Sequence, residues 1–493
     1  MSLSHKALFV ACCSLVLHSN GIGAAGSTEK PSGEQLLSHP EVQGALSAID
    51  AWVEGVQTYQ QVPGISAGLV VDQQLIWNRG YGYSNLKSER PADVDTLYSI
   101  CSISKLFTSI GVMQLRDAGK LTLRDSVNEH LDWFDIEQAY DDSGPINIES
   151  LLTHSSGLPR ESDFSYWSGS EFPFPTREQM MERLKSQKTL YPAQRNYQYS
   201  NLAMTLLGEI VQERSGQDYQ AYIQAKILAP LGLTNTRTYY PEDKHGKELA
   251  IGYIGMTRSG IREPAEPFFT RGMTAAAGFT SSVRDLAKFA SWQFRILEEG
   301  GDEVLDVNTL REMHRVHWVD PDWKTISGLG FAVDREDDKT FIGHGGGCPG
   351  YITEFSMIPQ EKIAAVILTN AGDSPAYDMA HSVLKVLSAA LKSAESPAKV
   401  DQPDLSMYEG NYDMTPWGGE MAIRQWGEHL VTIDIPSDDL SESLTRFKSV
   451  GDHRFIRLTD DDELRDTWVF EMRADGKAGR VLVHSTYWPR INE

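Results

Sequence analysis

The chain has 493 residues and a formal charge of −23, from 68 acidic and 45 basic side chains. That excess of negative charge argues against nucleic acid or an anionic membrane surface as a partner. The length exceeds what one hydrophobic core usually serves, so more than one domain is expected. With 41% hydrophobic and 23% charged residues, the composition is that of an ordinary soluble globular protein.

Residues 1–25 read as a secretory signal. Lys6 and His5 precede the apolar run Ala7–Leu17, and small residues follow at Gly21–Gly26. The run is too short to span a membrane as a mature helix, so a periplasmic or secreted product is expected. A polar leader, 26–44, comes before a helix expected near Val42–Gln57. Ile65–Val71 and Leu75–Arg79, separated by Asp72-Gln73-Gln74, read as a hairpin. An extended segment, Thr96–Cys101, then gives way to apolar residues at helical spacing: Leu106, Phe107, Ile110, Val112, Met113 and Leu115.

A mostly helical middle is expected to about Glu299. Within it, Phe164, Tyr166, Trp167, Phe172 and Phe174 stand in a loop that either walls a substrate pocket or anchors itself to the core. Strands return at Gly330–Val333, Phe341–His344, Tyr351–Ile358 and Ala364–Thr369, and a closing helix is read from Ser374-Pro375 as cap and first turn. Strands at both ends with helices between predict an α+β domain over 45–395, one antiparallel sheet flanked by a helical region. After a linker at 396–404, short β-like runs at Met421–Arg424, Leu430–Ile435, Phe455–Leu458, Trp468–Met472 and Val481–His484 predict a small all-β barrel or sandwich over 405–493.

Three motifs carry chemistry, in this order: Ser102-Ile103-Ser104-Lys105, Tyr199-Ser200-Asn201 and His344-Gly345-Gly346-Gly347. Ser-x-x-Lys also occurs at Ser27/Lys30, Ser84/Lys87, Ser382/Lys385 and Ser396/Lys399, and Tyr-Ser-Asn at Tyr83–Asn85. Only Ser102 stands where an extended segment meets a helix, in the field of unpaired backbone N–H groups. One turn on, Lys105 falls on the same face and within reach of the Ser102 hydroxyl. By itself the pair is better described as a serine cap followed by a solvated lysine. The other two motifs decide against that: Tyr199 and Asn201 sit in a polar loop entering an apolar helix, and the glycine run lets another backbone approach closely. Together they equip a serine acyl-transfer enzyme with a nucleophile, proton carriers and an oxyanion hole.

These motifs resemble the class C-type serine β-lactamase and penicillin-recognising peptidase family, with its esterases and D-aminopeptidases. Leu151-Leu-Thr-His-Ser-Ser-Gly-Leu-Pro159, Gly278–Phe289 and His344–Tyr351 extend the resemblance over roughly residues 45 to 395. It implies Ser102 as nucleophile, Lys105 as the partner that lowers its proton affinity, and Tyr199 as proton shuttle. Asn201 would bind the substrate amide, and the N–H groups of Ser102 and Gly347 would form the oxyanion hole. His344 takes the place where many β-lactamases carry the lysine of Lys-Thr-Gly, which does not occur here. Residues 405–493 resemble the lipocalin-like domain appended to some relatives, a possible surface for homo-oligomers.

Histidine is mostly neutral at pH 7, so recognition of a free substrate carboxylate should be weaker than with lysine. Small amide or ester substrates, including short peptides, are therefore favoured over β-lactams. A catalytically weak ligand-binding or scaffold protein on the same fold is the alternative. No cofactor or metal is expected: there is no Cys-x-x-Cys, and His314 and His317 read as a surface pair at a helix end. Signal removal leaves Cys101 and Cys348, which adjoin the first and third motifs; they are expected as buried free thiols, although export permits pairing.

Overall fold

The computed structural model describes residues 33–398, 402–459 and 464–491. The signal segment, Ser27, Lys30 and Lys399 lie outside them. The strands of the first region are β1 (Gly64–Val71), β2 (Gln74–Asn85), β3 (Arg90–Pro91), β4 (Tyr98–Cys101), β5 (Phe279–Ser281), β6 (Trp318–Val319), β7 (Ile326–Ser327), β8 (Ala332–Glu336), β9 (Lys339–Cys348), β10 (Tyr351–Ile358) and β11 (Ile363–Thr369). Nine of them form one antiparallel sheet in the order β3-β2-β1-β11-β10-β9-β8-β7-β6. As expected, the two ends of the region meet: β1 pairs with β11 from Ile65↔Thr369 to Val71↔Ile363.

Alternation along the strands divides the interior in two. Ala364, Val366 and Leu368 enter a core shared with the helical middle, whereas Ile363, Ala365 and Ile367 enter one shared with the helices Pro40–Tyr59 and Ala376–Ser393. The middle contains helices Ser104–Asp117, Asn201–Ser215 and Val283–Glu299, with shorter ones between. It is not purely helical: β5 pairs with β4 inside it. Three residues are too few for a period-two signal, and fully buried Phe279 reads equally well as helix core. The closing helix begins one residue later than expected. Pro375 takes the cap position, and the Ser374 hydroxyl pairs with Thr369 Oγ1 instead.

The C-terminal strands are β12 (Gly410–Asp413), β13 (Glu420–Trp426), β14 (His429–Ile435), β15 (Leu444–Gly451), β16 (Arg454–Leu458), β17 (Leu464–Met472), β18 (Ala478–Val483) and β19 (Thr486–Pro489). They pair strictly in sequence order. A bridge between Tyr412 and Arg490, and a bond from Ile491 N to Asn411 O (2.7 Å), nearly close them into an eight-stranded barrel. Tyr412, Phe447, Phe455 and Phe470 fill its inside. Three strands, β12, β15 and β19, escaped the sequence reading; β15 buries only Phe447, so its alternation is faint.

The barrel rests on the opening helix Pro40–Tyr59, where two glycines allow close approach. A Cβ on Gly44 would lie 2.5 Å from Trp426 Cα, and one on Gly55 2.5 Å from Ile435 Cγ2. Trp52 Nε1 donates to Ser437 O (3.1 Å), Trp426 Nε1 to Glu41 (2.8 Å), and Ser382 Oγ of the closing helix to Asp439 (2.7 Å). These contacts lie on the face of the sheet away from Ser102.

Candidate active site

Strand β4 ends at Cys101, whose φ of 48° is left-handed and turns the chain sharply into the helix Ser104–Asp117. A non-glycine residue there carries strain of about 1 kcal/mol or more. The turn leaves Ser102 half-buried at the helix entrance. Lys105 is wholly buried, which removes the solvated-lysine reading. Its Nζ lies 3.0 Å from Ser102 Oγ, 2.9 Å from Asn201 Oδ1 and 2.8 Å from the carbonyl of Ala276. Burial holds its pKa well below the ordinary lysine value; nearby Glu161 opposes this, and Arg160 adds to it. In a neutral amine the two N–H groups satisfy Asn201 and Ala276, and the lone pair is left for the Ser102 proton.

Ser200 caps the helix Asn201–Ser215, accepting from Ala203 N (2.9 Å) and donating to Pro159 O (2.7 Å). That cap orients both neighbours. Asn201 Nδ2 donates to Glu161 Oε1 at 2.8 Å. A carboxylate only accepts, so the amide must turn its oxygen to Lys105. Tyr199 is half-buried and hydrogen-bonded with Ser102; burial raises its pKa far more than that bond lowers it, so the phenol keeps its proton. Lys105 Nζ and Arg160 Cζ each lie 4.9 Å from the Tyr199 ring centre, and the His154 ring lies 4.4 Å away.

The glycine strand β9 passes close behind β4. A Cβ on Gly346 would stand 2.2 Å from Ile100 O and 2.4 Å from Thr353 Oγ1, so only glycine fits. Gly347 is exposed and a Cβ there would meet only Ile352 Cδ1, at 3.4 Å. Gly345 and Gly347 share the face turned away from Ser102, opposite Glu354 and Ile352 of β10. His344 shares the other face with Phe355, and its ring centre is 6.2 Å from that of Tyr199. Burial, then Lys105, push its pKa down to about 4 against the opposing bond to the Gly345 carbonyl, so the imidazole is neutral at pH 7. The two cysteines are not free thiols. Cys101 and Cys348 form a disulfide with Cα atoms 5.9 Å apart, because the approach at Gly346 brings their strands together.

Residues 49–390 match the Beta-lactamase family. The chain belongs to that family. It is a serine hydrolase of the β-lactamase type. Beta-lactamase-like protein 2 of Dictyostelium discoideum is 28% identical over 330 residues, 66% of this chain and 59% of that protein. The D-alanyl-D-alanine-carboxypeptidase/endopeptidase AmpH of Escherichia coli K12 is 26% identical over 348 residues, 70% of this chain and 88% of that one. The fold is that of the octameric penicillin-binding protein homologue from Pyrococcus abyssi, with a TM-score of 0.61 at 24% identity over 90% of this chain and 99% of that one. The β-lactamase/D-alanine carboxypeptidase from Yersinia pestis shares it, with a TM-score of 0.60 at 23% identity over 73% and 100%.

The structure brings Ser102, Lys105, Tyr199, Asn201 and His344 together in one cluster. Other members were missed by sequence reasoning. Glu161 holds Asn201 and also accepts from Trp167 Nε1 (3.1 Å) and the Tyr166 hydroxyl. Arg160, exposed, reaches Glu161 Oε1 at 3.2 Å and puts a permanent cation over Tyr199. His154 accepts from Ser200 N at 3.2 Å through Nδ1, and burial keeps it neutral.

The aromatic loop is chiefly an anchor. Tyr166 and Phe174 pack on Met273, while Phe172 stays exposed. The duplicate motif copies serve elsewhere: Ser84 is buried and donates to Arg90 O (3.2 Å), and Ser382 joins the barrel. His314 is no surface residue. It bonds Gln293 at 2.9 Å, its ring stands 4.8 Å from Phe331, and burial lowers its pKa to about 3. Among the described residues no three His, Cys, Asp or Glu side chains are grouped to hold a metal.

Proposed function

We propose that this protein hydrolyses small amides or esters, short peptides included, through a covalent acyl-serine intermediate. The observation that carries the reading is the buried Lys105, bonded at once to Ser102, Asn201 and the Ala276 carbonyl. Ser102 Oγ attacks the substrate carbonyl carbon as Lys105 Nζ takes its proton. The oxygen that gains charge is met by the N–H groups of Ser102 and Gly347, and Asn201 holds the substrate amide. Tyr199, a phenol hydrogen-bonded with Ser102, relays the proton to the departing nitrogen or oxygen. Water then attacks the acyl-serine along the same path in reverse, giving up a proton and releasing the acid.

The neutral His344 supports esters and amides over substrates that depend on a free carboxylate. The reading includes export, supported by the signal-like residues 1–25 and by a disulfide that suits an oxidising compartment. It includes a catalytic domain over 45–395 and a separate, lipocalin-like β domain over 405–493. Homo-oligomers through that β domain also belong to it; the Pyrococcus abyssi neighbour, alike over 90% of this chain, is octameric.

The test is intact-mass analysis after exposure to a fluorophosphonate and, separately, to a penicillin. A fluorophosphonate adduct that is absent from Ser102→Ala establishes the acyl-serine chemistry. A weak or missing penicillin adduct supports the substrate preference. No adduct from either reagent on folded protein overturns the reading in favour of a scaffold.

A further inference from the structure

Behind the glycine strand, on the face away from Ser102, lies a cavity of roughly 290 Å³. Gly343, Gly345 and Gly347 line it where β9 offers no side chain, and β8, β10 and the closing helix supply the walls. Glu354 borders it, only 4% exposed and with no hydrogen-bond or ion-pair partner among the described residues. Its Oε2 lies over Gly345, where an added Cβ would come within 2.6 Å. Asp334 of β8 lines the same space and likewise has no such partner among the described residues.

A buried carboxyl without a partner is costly unless it keeps its proton or meets a cation. Burial pushes the pKa of both groups up; the neighbouring Asp334 charge adds to the rise at Glu354, and the Glu336 charge adds to that at Asp334 against the opposing effect of His381. The remaining ionisable groups around them are already engaged. His381 bonds Glu336 through Nδ1 (2.7 Å) and Ser356 through Nε2 (3.3 Å). Lys385 pairs with Glu336 at 2.7 Å, and the Tyr377 hydroxyl leans on the same carboxylate at 3.4 Å. His381 still favours the Asp334 charge at a distance, but among the described residues no cation acts on Glu354. Apart from Thr353 and Ser356 the lining is apolar or aromatic: Ile352, Phe341 stacked on His381 at 4.1 Å, and Tyr377, 42% exposed with its ring centre 4.2 Å from that of His381.

We propose that this cavity binds a small organic cation, a primary ammonium or guanidinium on a compact apolar body, with Glu354 and Asp334 meeting its charge and Tyr377 flanking its entry. A hard divalent ion fits poorly, because two carboxylates are far short of the six or more oxygens it prefers. The volume is at the low end for ligand pockets, which sets the size of the guest. Aromatic walls suit a cation with an apolar body. The site is independent of the Ser102 chemistry and stands whether or not that chemistry is confirmed.

The test is calorimetric titration of the full chain with benzylammonium and with the neutral benzyl alcohol, on the unaltered protein, Glu354→Gln and Tyr377→Ala. Benzylammonium should bind at least ten-fold tighter than the alcohol. It should lose ten-fold or more in Glu354→Gln and several-fold in Tyr377→Ala, a change at the exposed mouth that leaves the core intact. Binding should expel the Glu354 proton, so affinity rises with pH and the heat varies with the buffer. Equal affinity for the two probes, an unchanged affinity in both variants, or no binding at all overturns the proposal and leaves Glu354 as a protonated carboxyl facing water.

Discussion

Glu161 holds the Asn201 amide by its nitrogen at 2.8 Å, and so fixes the oxygen 2.9 Å from Lys105 Nζ. Replacing Glu161 by Gln keeps the shape but loses the acceptor-only character that sets the amide's direction. A hydrogen bond to a charged group contributes roughly 1.5–3 kcal/mol, so kcat/KM on an ester substrate should fall by about 10–100-fold. Glu161 also raises the Lys105 pKa. In Glu161→Gln the acid limb of the pH–rate profile should therefore move to lower pH, a shift that mere loss of packing would not produce.

Lys105→Met should reduce turnover by roughly 10²–10⁴-fold, the usual contribution of a positioned acid or base. Stability should move the other way. The folded-state pKa of Lys105 lies well below that of the unfolded chain. Between those two values the unfolded state binds more protons, so stability rises with pH across that window. Lys105→Met removes this dependence, and thermal unfolding at neutral pH should show a higher Tm with a flatter pH profile.

His344 is neutral at working pH, with a pKa near 4. A penicillin and its methyl ester should therefore acylate Ser102 at similar rates. His344→Lys should favour the free acid by about ten-fold or more, since a charge-assisted bond contributes roughly 1.5–3 kcal/mol. The ratio of the two acylation rates in each protein, followed by mass, checks this directly.

The glycine run should be unequal under substitution. Gly346→Ala forces a Cβ to within 2.2 Å of Ile100 O, so β9 and β4 must separate. Overpacking of this kind typically costs about 1–3 kcal/mol, and activity should fall with the displaced turn at Ser102. Gly347→Ala meets only Ile352 Cδ1 at 3.4 Å and should fold normally. Paired denaturation curves and rates for the two variants separate these outcomes.

The contiguous motifs and the periodic elements were legible from the sequence because their signals are local. Ser102 and Lys105 are one helical turn apart, and β11 reads as an apolar run from Ile363 to Leu368. What escaped was assembled across distance or from backbone. The Ala276 carbonyl carries no side-chain signature. Arg160 and Glu161 stand in Arg160-Glu161-Ser162-Asp163, a charged stretch that reads as solvated loop until Asn201 closes on it. The pairing of Cys101 with Cys348 depends on two strands meeting 247 residues apart. Strands β12, β15 and β19 bury too few side chains, or end in proline, to show a pattern.

That disulfide changes the connectivity of the molecule. It makes residues 101 to 348 a closed ring of chain, joined at the neck by the segments that carry Ser102 and His344, with strands β1–β3, β10, β11 and the barrel on the two tails outside. In the chain-entropy picture such a long ring restrains the unfolded state by about 5 kcal/mol. A single protease cut inside it, for instance at exposed Trp323, cannot divide the protein in two. The severed ends stay tethered through the sulfur bridge, and both halves of the cleft remain on one covalent molecule.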